Sequence, residues 1–177
     1  MFARTALTTI AVIVCTATVD AAPPAAITMG DAVPFAPDVA GEVGLLATPG
    51  GTADNIQQRC NLPQTFAQSI SDELRHRGID VTTSPKPDEA DGPVLHVIIE
   101  GVLGFSGPWK GPKTLVLRGE LRQGETILGS FVVRESNGMG SLFKNTCEEF
   151  VSLGQKAAAD IGKWARAPKV RARLGSA

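Results

Sequence analysis

The chain has 177 residues and a formal net charge of −1, with 43% hydrophobic and 20% charged residues. This composition is ordinary for a folded domain and excludes a largely disordered protein. The near-zero net charge disfavours a nucleic-acid-binding protein, which normally carries a basic surface. The absence of tyrosine and the aromatic content of 5% also disfavour a surface that stacks bases or sugars.

Residues 1–21 are predicted to be a secretory signal peptide. Arg4 supplies the positive start, residues 6–17 supply an uncharged apolar run, and Ala21 supplies a small residue at the cleavage position. Cys15 leaves a lipoprotein signal open, although Val14 departs from the small residue expected before a lipidated cysteine. We therefore predict a periplasmic or secreted protein, which lipidation of Cys15 would anchor to the outer membrane.

Three further regions follow the signal. Residues 22–40 are rich in alanine and proline and are predicted to form a tether. Residues 41–166 are predicted to form a single α/β domain. Residues 167–177 are predicted to be a solvated basic tail, with contact to anionic lipid or polysaccharide as the alternative.

The first half of the predicted domain contains one helix between two short strands. Glu42–Thr48 is a short apolar run that predicts a first strand. Leu62–Arg77 repeats apolar residues every fourth position, which predicts a helix that Asn61 caps and Gly78 ends. Ile79–Thr83 then predicts a short strand.

The second half is predicted to be three consecutive strands and a closing helix. The strands are Val94–Phe105, Lys113–Gln123 and Glu125–Glu135, and a helix follows over residues 145–165. A turn at Gln123-Gly124 would place Val116 opposite Phe131. The face under the helices would then hold Leu115, Leu117, Leu121, Leu128 and Val132, and the solvated face Arg118, Glu120, Arg122 and Arg134. The predicted fold is an α/β (α+β) two-layer sandwich, a mixed sheet of about five strands with two helices on one face.

Two cysteines remain after removal of the signal, Cys60 before the first helix and Cys147 in the first turn of the closing helix. An even pair in an oxidising compartment predicts a disulfide. The alternative is a thiol nucleophile, but the sequence has no CxxC motif and would need a histidine beside the thiol.

No motif predicts an enzyme, a cofactor or a metal site. The two histidines lie apart, His76 on the polar side of a helix and His96 in an apolar strand, so they do not supply a zinc or copper ligand set. We predict no catalytic residues. An enzyme would need His96 exposed beside an acid such as Glu100.

Residues that could contact a partner are predicted in two places. Phe105, Trp109 and Lys110 lie in or beside a loop rich in proline and glycine, where an exposed tryptophan is typical of an interface. The alternative is that Trp109 folds back over the sheet edge. Arg118 and Arg122 lie on the solvated face of the predicted sheet.

The order of elements and a few short stretches resemble a known group of exported bacterial proteins. The stretches are Arg77-Gly-Ile-Asp-Val after the first helix, the acidic loop Asp88–Gly92 and the strand end Gly101-Val-Leu-Gly-Phe. Over residues 42–165 the chain resembles the small envelope proteins, most of them lipoproteins, whose domain is similar to the amino-terminal domain of TolB and to the core of the curli-secretion lipoproteins. The resemblance implies an α/β sandwich that acts in envelope assembly through protein contacts, without enzymatic residues.

These observations predict a non-catalytic exported module that binds or assembles with another protein of the bacterial cell envelope. The alternative is a periplasmic carrier that holds a small apolar ligand between the helices and the sheet. No nucleic-acid partner is expected, and membrane contact is expected only through lipidation of Cys15 or through the basic tail.

Overall fold

The computed structural model describes residues 23–37, 60–104, 112–138 and 145–176. The predicted signal peptide with Cys15, the predicted strand Glu42–Thr48 and the loop residues Phe105, Trp109 and Lys110 lie outside the described residues. The described elements are β1 (Ala26–Gly30), α1 (Leu62–His76), β2 (Asp80–Ser84), a 3-10 turn (Pro87–Glu89), β3 (Val94–Gly104), β4 (Lys113–Gln123), β5 (Thr126–Asn137), α2 (Thr146–Ala165) and β6 (Ala172–Gly175).

The strands form one six-stranded mixed sheet in the order β2-β1-β3-β4-β5-β6. Strands β3, β4 and β5 are antiparallel neighbours, whereas β1 pairs in parallel with both β2 and β3, and β5 pairs in parallel with β6. A parallel pair cannot be joined by a tight turn and needs a crossover. Helix α1 provides the crossover from β1 to β2, and α2 provides the crossover from β5 to β6.

Both helices contribute to one core with the sheet, which confirms the predicted two-layer sandwich. Phe66 and Ile70 of α1 and Phe150 and Ile161 of α2 are almost fully buried. The helices pack closely because Gly154 of α2 leaves room for the Phe66 ring. The buried face of the sheet is supplied by alternate residues, among them Leu95, Val97, Ile99, Leu115, Leu117, Leu121, Phe131 and Val133.

The helix ends follow local chemistry, with one difference from prediction. At α2 the amide of Glu148 donates to Asn145 Oδ1 and the amide of Asn145 donates to Glu148 Oε2, each at 2.9 Å, which completes a capping box. Asn61 was predicted to cap α1 but has a left-handed backbone with φ of 40° and no side-chain capping bond. Thr65 instead donates its hydroxyl to the Asn61 carbonyl at 2.9 Å.

The predicted tether over residues 22–40 is wrong where it includes β1, which lies between β2 and β3. Ile27 and Met29 alternate with exposed or half-buried neighbours and point into the core. The prolines bound this strand and do not interrupt it. Beyond it, Phe35 makes a parallel bridge with Ile99, so the segment continues along β3.

The predicted basic tail over residues 167–177 is also wrong, because residues 172–175 form the edge strand β6. The Trp164 indole Nε1 donates to the Lys169 carbonyl at 3.1 Å, and the Ser130 amide donates to the same oxygen at 3.1 Å. The Arg171 amide donates to Ser130 Oγ at 2.9 Å. These bonds turn the chain after α2 and return it to the sheet.

The predicted β4–β5 register is wrong. Gln123 pairs with Thr126 around the turn, and Leu128 is then bypassed so that Leu121 pairs with Gly129. The extra residue is a β-bulge, and it shifts the later pairs by one position. Phe131 and Val133 are therefore buried, whereas Val132 lies on the opposite face.

Candidate functional site

The face of the sheet turned away from α1 and α2 is the candidate functional site, and we name it the outer face. Neither described helix packs on it. Its residues alternate along four strands: His96, Ile98 and Glu100 on β3, Arg118, Glu120 and Arg122 on β4, Ser130, Val132 and Arg134 on β5, and Arg173 on β6. The side chains that alternate with them fill the core, so the outer-face side chains do not form part of the core between the described helices and the sheet.

Two arginines of the outer face form ion pairs with neighbouring glutamates. Arg118 Nη2 pairs with Glu100 Oε1, and Arg122 Nη2 lies 2.6 Å from Glu120 Oε2. All four side chains are about one-third to one-half exposed. Such surface pairs contribute little to stability, but they neutralise both arginines locally.

A groove of about 520 Å³ lies between β3, β4 and the loop after β2. His96 stands in this groove with Nε2 at 3.1 Å from Asp88 Oδ1. The sequence placed this histidine in an apolar strand, and it is half-buried on the outer face of that strand. The carboxylate that contacts His96 is that of Asp88, whereas the carboxylate of Glu100 pairs with Arg118.

A second groove of about 710 Å³ crosses β4, β5 and β6. Arg134, Arg171 and Arg173 line it, and all three are exposed. Among the described residues none of these three arginines forms a salt bridge. Val132 is half-buried and supplies apolar surface to the groove, whereas Leu174 pairs with Val133 and packs against the core on the other face of the sheet. Glu100 and Glu120 also line this groove, but each forms an ion pair with an arginine of β4, so this half of the outer face keeps an excess of positive charge.

The predicted contact residues Arg118 and Arg122 both lie on the outer face and are exposed. Arg134, Arg171 and Arg173 were not among the predicted protein-contact residues, although the basic tail that contains Arg171 and Arg173 was given contact with anionic lipid or polysaccharide as an alternative. Arg134 was placed on the solvated face, but Arg171 and Arg173 were assigned to a tail. The alternation of arginine with Ala172 and Leu174 is the signal that would have indicated a strand.

The disulfide lies in the helix layer, away from the outer face. Cys60 and Cys147 are bonded with a Cα–Cα distance of 5.2 Å, as the sequence predicted. Cys60 precedes α1 and Cys147 lies in the first turn of α2, so the bond joins the starts of the two helices. Cys60 also packs against the core.

Neither a metal cluster nor a membrane helix is found in the part of the chain that the structure describes. No three His, Cys, Asp or Glu side chains of these residues come together as a metal-binding group. Among the same residues, neither helix combines the length and the apolar character needed to cross a bilayer.

The sequence matches no protein-family model and no curated protein. Among solved structures, a minor lipoprotein from Acinetobacter baumannii is 13% identical, with a TM-score of 0.49 over 84% of this chain and 98% of that chain. A PelC dodecamer from Paraburkholderia phytofirmans is 15% identical, with a TM-score of 0.49 over 86% of this chain and 96% of that chain. Lipoprotein GNA1162 from Neisseria meningitidis is 18% identical, with a TM-score of 0.32 over 73% of this chain and 94% of that chain.

Structures similar to this chain thus include bacterial lipoproteins. At these identities and TM-scores the likeness does not bear on activity or on partners. The resemblance to TolB and to curli-secretion lipoproteins stays a prediction from the sequence.

Proposed function

We propose that this chain is a non-catalytic exported binding module of the bacterial cell envelope, and that it contacts a protein partner through the outer face of its sheet. One observation carries this proposal. Both described helices pack on the same side of the sheet, and the opposite side presents two open grooves with five exposed arginines around them. A charged, uncovered sheet face of this kind is suited to a contact surface.

Two sequence features support the envelope as the compartment. Residues 1–21 have the pattern of a secretory signal. The Cys60–Cys147 disulfide suits an oxidising compartment, where such bonds form and persist. Lipidation of Cys15 would add an anchor at the outer membrane, and we propose it as the second form of the same export route.

The alternative function, a carrier of a small apolar ligand, is not favoured by any observation. A carrier would need space between the helices and the sheet. In the described residues that space is filled by side chains such as Phe66, Phe131 and Phe150, each about 1% exposed or less. The two grooves on the outer face are open and lined by charged groups, which does not suit an apolar ligand.

The proposal can be tested by site-specific photo-cross-linking in the cells that make the protein. A photoreactive residue is placed on the outer face, either at Arg122 or at Ser136, which follows Arg134 by two residues on β5 and so lies on the same face. A control is placed at Gln155, which is exposed on α2. We expect a discrete protein adduct from the outer-face positions and none from the control. Adducts only from Gln155, or none from any position, would refute the outer face as the contact surface.

A further inference from the structure

We propose that the partner offers an extended acidic segment, and that this segment binds across Arg134, Arg171 and Arg173. The proposal rests on the proposed function, because it names the chemistry of the partner for the same outer face. We call the groove formed by these arginines with Val132 and Ser130 the arginine groove.

The charge of the outer face is divided between its two halves. On β3 and β4, each arginine has its own glutamate, as Arg118 has Glu100 and Arg122 has Glu120. On β5 and β6, no described carboxylate pairs with the three arginines of the arginine groove. Arginine forms its strongest contacts as a two-pronged donor to a carboxylate, so this half is suited to carboxylates that a partner brings.

The register fixes the spacing of these arginines. Val132 pairs with Arg173, and Arg134 pairs with Gly175, so Arg134 and Arg173 are diagonal neighbours on adjacent strands. Arg171 comes before β6 and has a left-handed backbone with φ of 58°, so the strand repeat does not include it; it lines the same groove, and its amide donates to Ser130 Oγ. Because Val132 pairs with Arg173, Arg134 lies two residues farther along the strand direction, which is about 6.6–6.8 Å. An extended segment with an acidic residue at every second position has the same repeat.

The floor of the arginine groove favours a polypeptide over other polyanions. Val132 presents half-buried aliphatic surface beside the arginines, which can accept the carbon chains of glutamate or small apolar side chains. An anionic polysaccharide would gain from exposed aromatic rings, but among the described residues the aromatic side chains of this half of the sheet, Phe131 and Trp164, are buried. A bilayer surface would meet a protruding patch more readily than a groove.

The test uses a fluorescent peptide of about ten residues that alternates glutamate with threonine, and its binding is followed by anisotropy at about 20 mM and about 150 mM salt. The tested variant is Arg134→Gln/Arg173→Gln. The control variant is Lys156→Gln/Arg166→Gln, which removes two exposed charges from α2 and the residue after it. Circular dichroism and thermal midpoints establish that both variants are folded.

We expect the arginine variant to bind the peptide at least about tenfold more weakly and the control variant to bind within about twofold of the unmodified chain. An equal loss in both variants would overturn the proposal, since bulk charge would then explain the binding. Absence of peptide binding by the unmodified chain would also overturn it. Tighter, arginine-dependent binding of polygalacturonate or of phosphatidylglycerol vesicles would overturn it as well. So would arginine-dependent self-association of the chain, measured as a rise in its molar mass with protein concentration.

Failure of this proposal is separable from failure of the proposed function. Cross-linking at Arg122 and Ser136 does not use the arginines tested here. A protein adduct at those positions without acidic-peptide binding would retain the outer face as a contact surface and overturn only the acidic partner.

Discussion

Lys113 Nζ lies 3.2 Å from Glu149 Oε2, and both side chains are almost completely buried, at 1% and 2% exposure. Lys113 begins β4 and Glu149 lies in the first turn of α2, so the ion pair joins the sheet to the helix layer. Glu135 lies on the same buried face and accepts a hydrogen bond of 2.7 Å from Ser176 Oγ. A buried polar cluster therefore stands at the end of the core from which α2 begins.

Breaking this ion pair should be strongly destabilising. Removing one partner of a buried pair leaves the other charge desolvated, which costs about 3–5 kcal/mol. We expect Lys113→Met to lower the free energy of unfolding in urea by that amount. The double variant Lys113→Met/Glu149→Leu should be more stable than Lys113→Met, because it removes the charge that was left behind.

The matched control is Lys163→Met. Lys163 pairs with Asp160 at 2.9 Å, but its side chain is 65% exposed. An exposed pair of this kind contributes about 1 kcal/mol or less. Equal losses at Lys113 and Lys163 would contradict the idea that burial sets the cost.

Close packing of the two helices depends on Gly154. A Cβ at this position would overlap the Cδ1 and Cε1 atoms of the Phe66 ring, which is 1% exposed and has little room to move. Overpacking of a filled core typically costs about 1–3 kcal/mol, which exceeds the gain of about 1 kcal/mol in helix propensity from glycine to alanine. We expect Gly154→Ala to lower the thermal midpoint.

Gly162 in the same helix is the comparison for Gly154. A Cβ there would come within 2.7 Å of Arg77 Nε and 2.8 Å of Glu73 Cγ, which belong to flexible side chains. Those side chains are about one-fifth to one-quarter exposed and can shift, so Gly162→Ala should cost less than Gly154→Ala. If Gly162→Ala proved the more harmful change, backbone spacing rather than the Phe66 ring would control the helix contact.

The sequence predicted the helices and the central strands well because their signals are local. An apolar residue at every fourth position fixes α1, and the Asn145–Glu148 capping box fixes the start of α2. The disulfide was also predictable, since only two cysteines follow residues 1–21, the predicted signal peptide.

The outer strands and the register could not be predicted because tertiary contacts determine them. Strand β1 has only five residues and lies between Pro24 and Pro34, and it is stable because Ile27 and Met29 enter a core built by distant elements. The bulge at Leu128 reverses which face of β5 is buried, and no residue type in the local sequence predicts this bulge. The arginine groove also depends on a tertiary contact, because it forms only where β6 pairs with β5, so it could not be predicted from the sequence.

The bonds around Trp164 should control the attachment of β6. Its ring lies edge-on to Phe131 with centroids 4.7 Å apart, and its Nε1 donates to the Lys169 carbonyl. We expect Trp164→Phe to accelerate amide hydrogen exchange in Ala172–Gly175 more than in β3. The substitution removes the hydrogen bond to the Lys169 carbonyl, which holds the chain just before β6. Ser130→Ala, which removes the acceptor of the Arg171 amide, should give the same local effect with a smaller global loss. Uniform acceleration across the sheet in both variants would contradict local control.

The Cys60–Cys147 disulfide closes a sequence separation of 87 residues, so its loss should be costly. The chain-entropy account gives about 4–5 kcal/mol for such a loop, and measured losses in small secreted domains are about 2–5 kcal/mol. We expect Cys60→Ser/Cys147→Ser and the reduced unmodified chain to lose similar amounts of unfolding free energy in guanidinium chloride. Similar losses would assign the effect to the bond rather than to the substituted side chains.

Intact mass of the protein from its native envelope, with and without reduction and alkylation, tests the bond and the export route together. Loss of residues 1–21, with two alkylation sites appearing only after reduction, is the expected result for ordinary cleavage and a complete disulfide. A mass beginning at a diacylglyceryl Cys15 would instead establish a lipid anchor, with the same disulfide beyond it. An uncleaved chain with free thiols would contradict export, since a bond between Cys60 and Cys147 forms and persists in an oxidising compartment.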